Sequence, residues 1–317
     1  MPQLWRKEGF LLSGTRAQIP TVLPVSESLW RIFYSNRTPD NKSYIQSVDI
    51  DPEAPFRILD RNLGPILPLG GIGEFDSFGT MPSCFHQTIS EVRMYYIGWS
   101  IRADAPFQNS IGLAISKDGG KTFHKAFRGP VLSTGPEDPF TSTTPFVIQR
   151  GDSALNIDLY YASGTEYRGT ELRYCIKLKK HFGHVHYNEI DDCRIIEYVS
   201  DAEGGICRPC VIGNHMWYCY RNRDPKNSYK IGYAKRTGLD RWSRTDTEMQ
   251  WSPVNYSVLD TEMACYPFVL KYRDTYYMFY NGNGFGATGI GLATLPTKEI
   301  DAIPSDPSGS PQAGRIF

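Results

Sequence analysis

The sequence predicts an all-β fold, a five-bladed β-propeller, and three features predict it. Five runs of aromatic and aliphatic residues each end in a polar or glycine cluster: "LWRIFYSNR" from Leu29, "VRMYYIGWS" from Val92, "NIDLYYASGT" from Asn156, "HMWYCYRNR" from His215 and "TYYMFYNGN" from Thr275. Ahead of each stands a short proline-bearing segment, anchored at Pro20, Pro82, Pro145, Pro209 and Pro267, so subtraction gives steps of 62, 63, 64 and 58 residues. Behind most runs comes a third apolar segment, "YIQSVDI", "IGLAISKDGGKTF", "YKIGYAKRTGLDRW" or "GIGLATL", the copy near Tyr174 being more degenerate. A repeat of this length with three or more strands suits a propeller blade plus a loop.

Each element has a physical reason. Tyr276 to Tyr280, "YYMFY", neither alternates as a half-buried strand nor spaces its apolar residues as a surface helix. Such a run needs cover on both faces, which the middle strand of a blade receives from its two neighbours. Burying one Phe- or Leu-sized side chain contributes roughly 1.5 to 3 kcal/mol, so five such strands supply much of the driving force. A β-sandwich has no reason for the period. The blades are expected at about 14–60, 76–130, 137–199, 203–250 and 260–297 within one domain of residues 1–299. Residues 300–317 are rich in Pro, Ser and Gly and read as a loose tail. The N-terminal "LWRKEGFLLS" is expected to pair with the last blade as its outermost strand, removing an open edge.

Composition narrows the partners. Thirty-four basic residues balance thirty-four acidic ones, leaving no field to steer the chain onto nucleic acid or an anionic membrane. No stretch is long and apolar enough for a membrane span or a signal peptide, and the protein is read as soluble and cytoplasmic. Seven scattered cysteines suit reduced core thiols better than a disulfide framework.

In a propeller the first strand of each blade lines the central channel, so side chains entering the five proline segments converge on one mouth. Those positions carry Arg16 and Gln18; Asp76 in "EFDSFGTMPS"; Glu137 and Asp138 in "GPEDPFTSTTP"; Glu203 and Arg208 in "EGGICRP"; and Asp260 and Glu262 in "DTEMACYP". Asp76, Glu203 and Glu262 each stand five or six residues before their proline. Carboxylates sharing one funnel can protonate a leaving oxygen and activate water or attack carbon, the pair of roles that breaks a glycosidic bond. Asp76 and Glu203 are the expected base and acid in either order, with Glu262 tuning their protonation. Tyr266, Tyr167 and Phe78 offer faces to sugar rings, and Asn281 and Asn283 offer amides to sugar hydroxyls. The competing reading is that acids at strand starts serve turns, since repeat symmetry alone would align structural acids. No cofactor is expected, and a channel cation such as calcium is left open.

The fivefold pattern and carboxylate-lined axis resemble the five-bladed propeller glycosidases, glycoside hydrolase families 32, 43, 68, 117 and 130. Within that superfamily, "FDSFGTMPSCF", "YYIGWS", "SIGLAISKDGGKTF", "EGGICRPCVI", "SYKIGYA" and "YPFVLKYRDTYYMFYNGNGFG" resemble bacterial proteins associated with surface-polysaccharide gene clusters, from "RAQIPT" to "TGIGLAT". The resemblance implies a carbohydrate or nucleotide-sugar substrate and glycosidase-like chemistry. One departure matters: family 43 enzymes place an aspartate on the innermost strand of the first blade, where "GTRAQIPT" offers Arg16 and Gln18. Arg16, Arg173 and Arg208 are instead candidates to hold a phosphate, a sugar carboxylate or a nucleotide-sugar diphosphate. That motivates two alternatives, a phosphorylase or glycosyltransferase, and a non-catalytic glycan-binding propeller.

Four further signals carry less. "SKDGGKTF" matches the sialidase Asp-box, where Asp118 is expected to bond turn amides and the aromatic to pack inward, a structural role. It keeps a sialidase as a rival, with Arg16, Arg173 and Arg208 as an arginine triad, but sialidases carry six blades. Cys207 and Cys210 form C-x-x-C on a strand, where residues three apart face opposite sides and share neither bridge nor metal. His184 and His186, with His181, read as a polar loop, and "GNGFG" has no following helix to cradle phosphate.

Overall fold

The aromatic runs form the second strands of antiparallel meanders. The computed structural model describes residues 3–154, 156–182, 194–223, 229–251 and 259–300, so His184, His186, Cys193 and the C-terminal segment 301–317 lie outside the described residues. After β1 (Gln3–Leu11) comes a first meander of β2 (Ala17–Ser26), β3 (Leu29–Arg37), β4 (Ser43–Asp51) and β5 (Ala54–Asn62). A second follows: β6 (Gly79–Gln87), β7 (Val92–Ser100), β8 (Gln108–Ser116) and β9 (His124–Lys125). The third has β10 (Thr141–Gln149), β11 (Ile157–Arg168) and β12 (Glu171–Phe182), with a further bridge from Lys177 to Arg194. The fourth has β13 (Glu203–Ile212), β14 (His215–Asn222), β15 (Lys230–Arg236) and β16 (Trp242–Arg244). Past β17 (Met249–Trp251), the last has β18 (Cys265–Tyr272), β19 (Thr275–Asn281) and β20 (Ile290–Pro296), with the one-turn α1 (Asn283–Gly286) between the last two.

The first strand of the chain joins the last sheet, as expected for "LWRKEGFLLS", but it is not the outermost strand, because β17 lies beyond it. β1 runs antiparallel to β20, from Arg6 opposite Thr294 to Leu11 opposite Ile290, and its start lies parallel to β17. The core lies between consecutive meanders. Leu23, Phe33 and Ile45 of the first pack with Met94, Tyr96 and Phe123 of the second, and Cys84 and Tyr95 of the second pack with Val147 and Leu159 of the third. Tyr160 and Ile176 of the third meet Met216 and Tyr218 of the fourth, and Trp217 and Tyr233 of the fourth meet Tyr276 and Met278 of the last. Trp30 and Ile32 of the first pack with Phe268 and Phe279 of the last, closing the ring of a β-propeller. "YYMFY" thereby finds its two covers: Tyr276, Met278 and Tyr280 face the fourth meander, while Tyr277 and Phe279 face the first.

The prolines mark where every inner strand breaks step. Register shifts fall between Gln18 and Thr21, Pro82 and Cys84, Thr143 and Phe146, Cys207 and Cys210, and Cys265 and Phe268. Proline has no N–H for a ladder, so a bulge is where a strand tolerates it. The residue before the proline is left-handed in four of these: Ile19 (φ 55°), Thr144 (φ 47°), Arg208 (φ 59°) and Tyr266 (φ 53°). Such conformations cost of order 1 to 3 kcal/mol each and persist only where surroundings enforce them.

Candidate functional site

Arg208 shows what those bulges are for. Its Nη1 donates to the Ser83 carbonyl and Oγ, each at 2.7 Å, and its Nη2 donates to the Pro20 carbonyl at 3.0 Å and Thr21 Oγ1 at 2.9 Å. Its backbone N–H donates to Thr144 Oγ1 at 3.1 Å, and its guanidinium lies 5.9 Å from the centre of the Phe268 ring. One residue on β13 thus touches β2, β6 and β18 with its side chain and β10 with its backbone N–H, which places it on the axis. It is 1% exposed, and burial lowers its pKa below the usual arginine value. Arg208 clamps the inner strands together, and its donors to them are not available to a substrate.

The aligned acids occupy a repeated frame within their own sheets. Asp76, 0% exposed, accepts a hydrogen bond from the Tyr96 hydroxyl at 2.8 Å and pairs with Lys125 at 2.6 Å. Asp260 repeats this with Tyr280 at 2.7 Å and Lys7 at 2.8 Å, and Asp138 with Tyr161 at 3.0 Å and Lys177 at 3.5 Å. In the fourth meander the acid comes from the far end: Tyr218 donates to Asp246, which pairs with Arg244, and Arg244 also forks onto Glu203 at 2.6 and 2.8 Å. Tyr96, Tyr218 and Tyr280 stand opposite Gly112, Gly232 and Gly291 on the next strand. A Cβ at Gly112 or Gly291 would fall 2.2 or 2.4 Å from the tyrosine ring, so only glycine lets the ring lie flat enough to reach its aspartate. Burial, then the neighbouring carboxylate, raises the pKa of all four tyrosines, which keeps them donors.

Of the three carboxylates expected to share the funnel, then, Asp76 and the 1% exposed Glu203 are neutralised inside their sheets, and Glu262 is exposed. Glu262 precedes β18, where its N–H and that of Met263 donate to Asn283 Oδ1. Glu137 holds Lys179 by its carboxylate and Lys177 by its carbonyl. Arg173 donates to the Glu203 carbonyl at 3.1 Å and lies 3.8 Å from the Tyr198 ring. Asn281 is fully buried, accepting from the Ile19 N–H at 2.7 Å and donating to the Ala17 and Gly289 carbonyls, a seam between the last and first meanders. Asp118 bonds the Lys121 and Thr122 amides, and Phe123 packs on Phe33, as the Asp-box predicts. Cys207 and Cys210 lie in separate apolar clusters.

The residues gathered at the mouth are aromatic and basic. Ile19, Met81, Ile97 and Trp99 form an apolar floor against which Phe78 and Tyr266 pack. Tyr266 also neighbours Tyr229 at 5.9 Å and Phe285 at 6.5 Å. Gln18 is half-buried on β2 and Arg16 is exposed just before it. Arg37, at the exit of β3, lies 5.3 Å from the Trp99 ring, and burial followed by the nearby Arg16 charge lowers its pKa, with Tyr266 opposing. Sequence reading missed Arg37, Trp99, Tyr229 and Phe285 because it took most candidates from the entries to first strands, whereas Arg37 and Trp99 lie at the exits of second strands and Tyr229 ahead of a third. Away from the axis, a cleft of about 390 Å³ is lined by Asp104, Phe107, Phe140 and Tyr167. Among the described residues no three His, Cys, Asp or Glu side chains converge to cage a cation, and no helix is long and apolar enough to cross a membrane.

No family model matches the chain. Two proteins of Mycobacterium tuberculosis, "Uncharacterized protein MT1551" of strain CDC 1551 / Oshkosh and "Uncharacterized protein Rv1502" of strain ATCC 25618 / H37Rv, are each 32% identical over 308 residues, 92% of this chain and 99% of theirs. Among solved structures, a "Glycoside hydrolase" aligns with a TM-score of 0.65 at 16% identity, over 94% of this chain and 92% of that one. A thermostable family-43 glycoside hydrolase gives 0.60 at 14% identity, over 96% and 99%. The β-1,2-mannobiose phosphorylase from Listeria innocua gives 0.55 at 12%, over 92% of each chain. At such identities the shared property is the fold, that of β-propeller glycoside hydrolases.

Proposed function

This chain belongs to the family of the mycobacterial proteins MT1551 and Rv1502, and from that premise and its fold we propose a five-bladed, glycoside hydrolase-like protein acting on a glycan in surface-polysaccharide metabolism. The observation that carries the reading is the rim of the axis, where Phe78, Tyr266 and the exposed Phe285 stand over the buried Trp99 and Tyr229, beside Arg16, Gln18 and Arg37. Sugar rings bind through apolar faces and polar edges, which such a mixture offers together. Glu262, exposed ahead of β18, is the carboxyl assigned to proton transfer, while Asp76 and Glu203 hold their sheets.

Reducing-sugar release from neutral and acidic oligosaccharides, with and without added phosphate, tests this. A hydrolase releases sugar without phosphate, a phosphorylase only with it, and a nucleotide-sugar arm of the assay reports transfer. Glu262→Gln is expected to lower turnover by about a hundredfold or more while the sugar still binds. Asp76→Asn is expected to lower thermal stability. Binding with no release in any arm would leave the second reading, a non-catalytic glycan-binding propeller, which the burial of Asp76 and Glu203 favours.

A further inference from the structure

The first meander ends its inner hairpin in an unusual pair. Ala17 of β2 lies opposite Asn36 of β3, so Arg16 and Arg37 are the next opposed positions as the two strands part. Like charges facing one another across a hairpin are destabilising, whereas an opposite-charge pair there contributes stability. Here, among the described residues, neither arginine has a carboxylate within ion-pairing distance; Asp40, in the adjoining loop, pairs with Lys42 at 3.3 Å. Arg37 has Asn41 Oδ1 as its hydrogen-bond partner at 2.9 Å, and its Nε is buried with none. The arginine is nevertheless held in place. Its ladder partner Ser43 accepts a hydrogen bond from Trp99 Nε1 at 2.7 Å, and the guanidinium lies over that indole. Trp99 belongs to the same apolar floor as Tyr266, whose half-buried ring borders the space.

We infer that Arg16 and Arg37 form an anion receptor on the rim, and that the glycan recognised there carries an acidic substituent, a carboxylate or a phosphate, on a sugar whose ring rests on the half-buried Tyr266 and Phe78, with Trp99 buried beneath to hold Arg37. The inference rests on the glycan reading above and names its substrate class. An arginine fork matches either anion through paired N–H groups, and a second arginine beside it adds charge. Removing one of two facing positive charges relieves repulsion in the empty protein, so the receptor has a signature that ordinary structural arginines lack.

Titration calorimetry and thermal melts of the full chain with four probes test the receptor: glucuronic acid, glucose 6-phosphate, glucose and inorganic phosphate. The receptor predicts that one or both acidic sugars bind at least about tenfold tighter than glucose, and that Arg37→Gln and Arg16→Gln each abolish that margin. It also predicts that the ligand-free variants melt no lower than the parent, because repulsion has been removed. Inorganic phosphate binding as tightly as the acidic sugars, and lost in both variants, would keep the anion receptor and overturn the glycan. Equal affinity for glucose and the acidic sugars, or variants that bind the acidic sugars unchanged, would overturn the receptor while leaving the glycan reading standing.

Discussion

His86 shows how one buried side chain ties stability to pH. It is 7% exposed, and its Nε2 lies 2.9 Å from Gln149 Oε1, joining β6 of the second meander to β10 of the third. Burial lowers its pKa, with the Gln149 contact opposing. The unfolded chain takes up this proton near pH 6.5, whereas the fold resists it, so below about pH 6.5 the unfolded state binds more protons and gains ground. Stability from this group is full above that pH and declines as the pH falls. Urea midpoints measured from pH 7 down to 5 should therefore drop for the parent and drop less for His86→Gln. The same scale explains what the alignment of acids leaves out of view. Asp76, Glu203 and Glu262 stand five or six residues before their prolines, as catalytic acids of a symmetric funnel would, whereas the acids held in the tyrosine and lysine frame are Asp76, Asp138 and Asp260. Their partners Tyr96, Tyr161 and Tyr280 lie on second strands and Lys125, Lys177 and Lys7 on outer ones, and the pairing exists only once the meanders fold.

At the level of strands, the legible feature was the aromatic run, because burial on both faces leaves an uninterrupted apolar stretch in the sequence. The unmarked feature was the slip beside each proline, since a left-handed Ile19 or Thr144 leaves no trace in composition. The pairing of Tyr96 on β7 with Gly112 on β8 lies between these extremes: "IGLA" was visible as part of a repeat, but not as the space for a ring. Gly112→Ala should force that ring or the strand to move and cost about 1 to 3 kcal/mol, the range for overpacking a core. Chemical denaturation measures it, and an alanine variant of undiminished stability would remove the proposed reason for glycine there. Arg37 was missed at this same scale, because the channel was searched from the entry of β2 and not from the exit of β3.

For the whole molecule, closure depends on the first strand of the chain sealing the last sheet. Deleting residues 1–11 would strip β1 from β20, exposing the edge from Ile290 to Thr294 and removing Trp5 from its packing against Trp217. The shortened chain is expected to melt at lower temperature and to associate in a concentration-dependent way on sizing columns, since an uncovered edge templates further pairing. The clamp at Arg208 has a different consequence. Because one guanidinium on the fourth meander bonds the inner strands of the first and second, its loss would leave the Ser83 and Pro20 carbonyls buried without that donor, and the sheets it ties would loosen together.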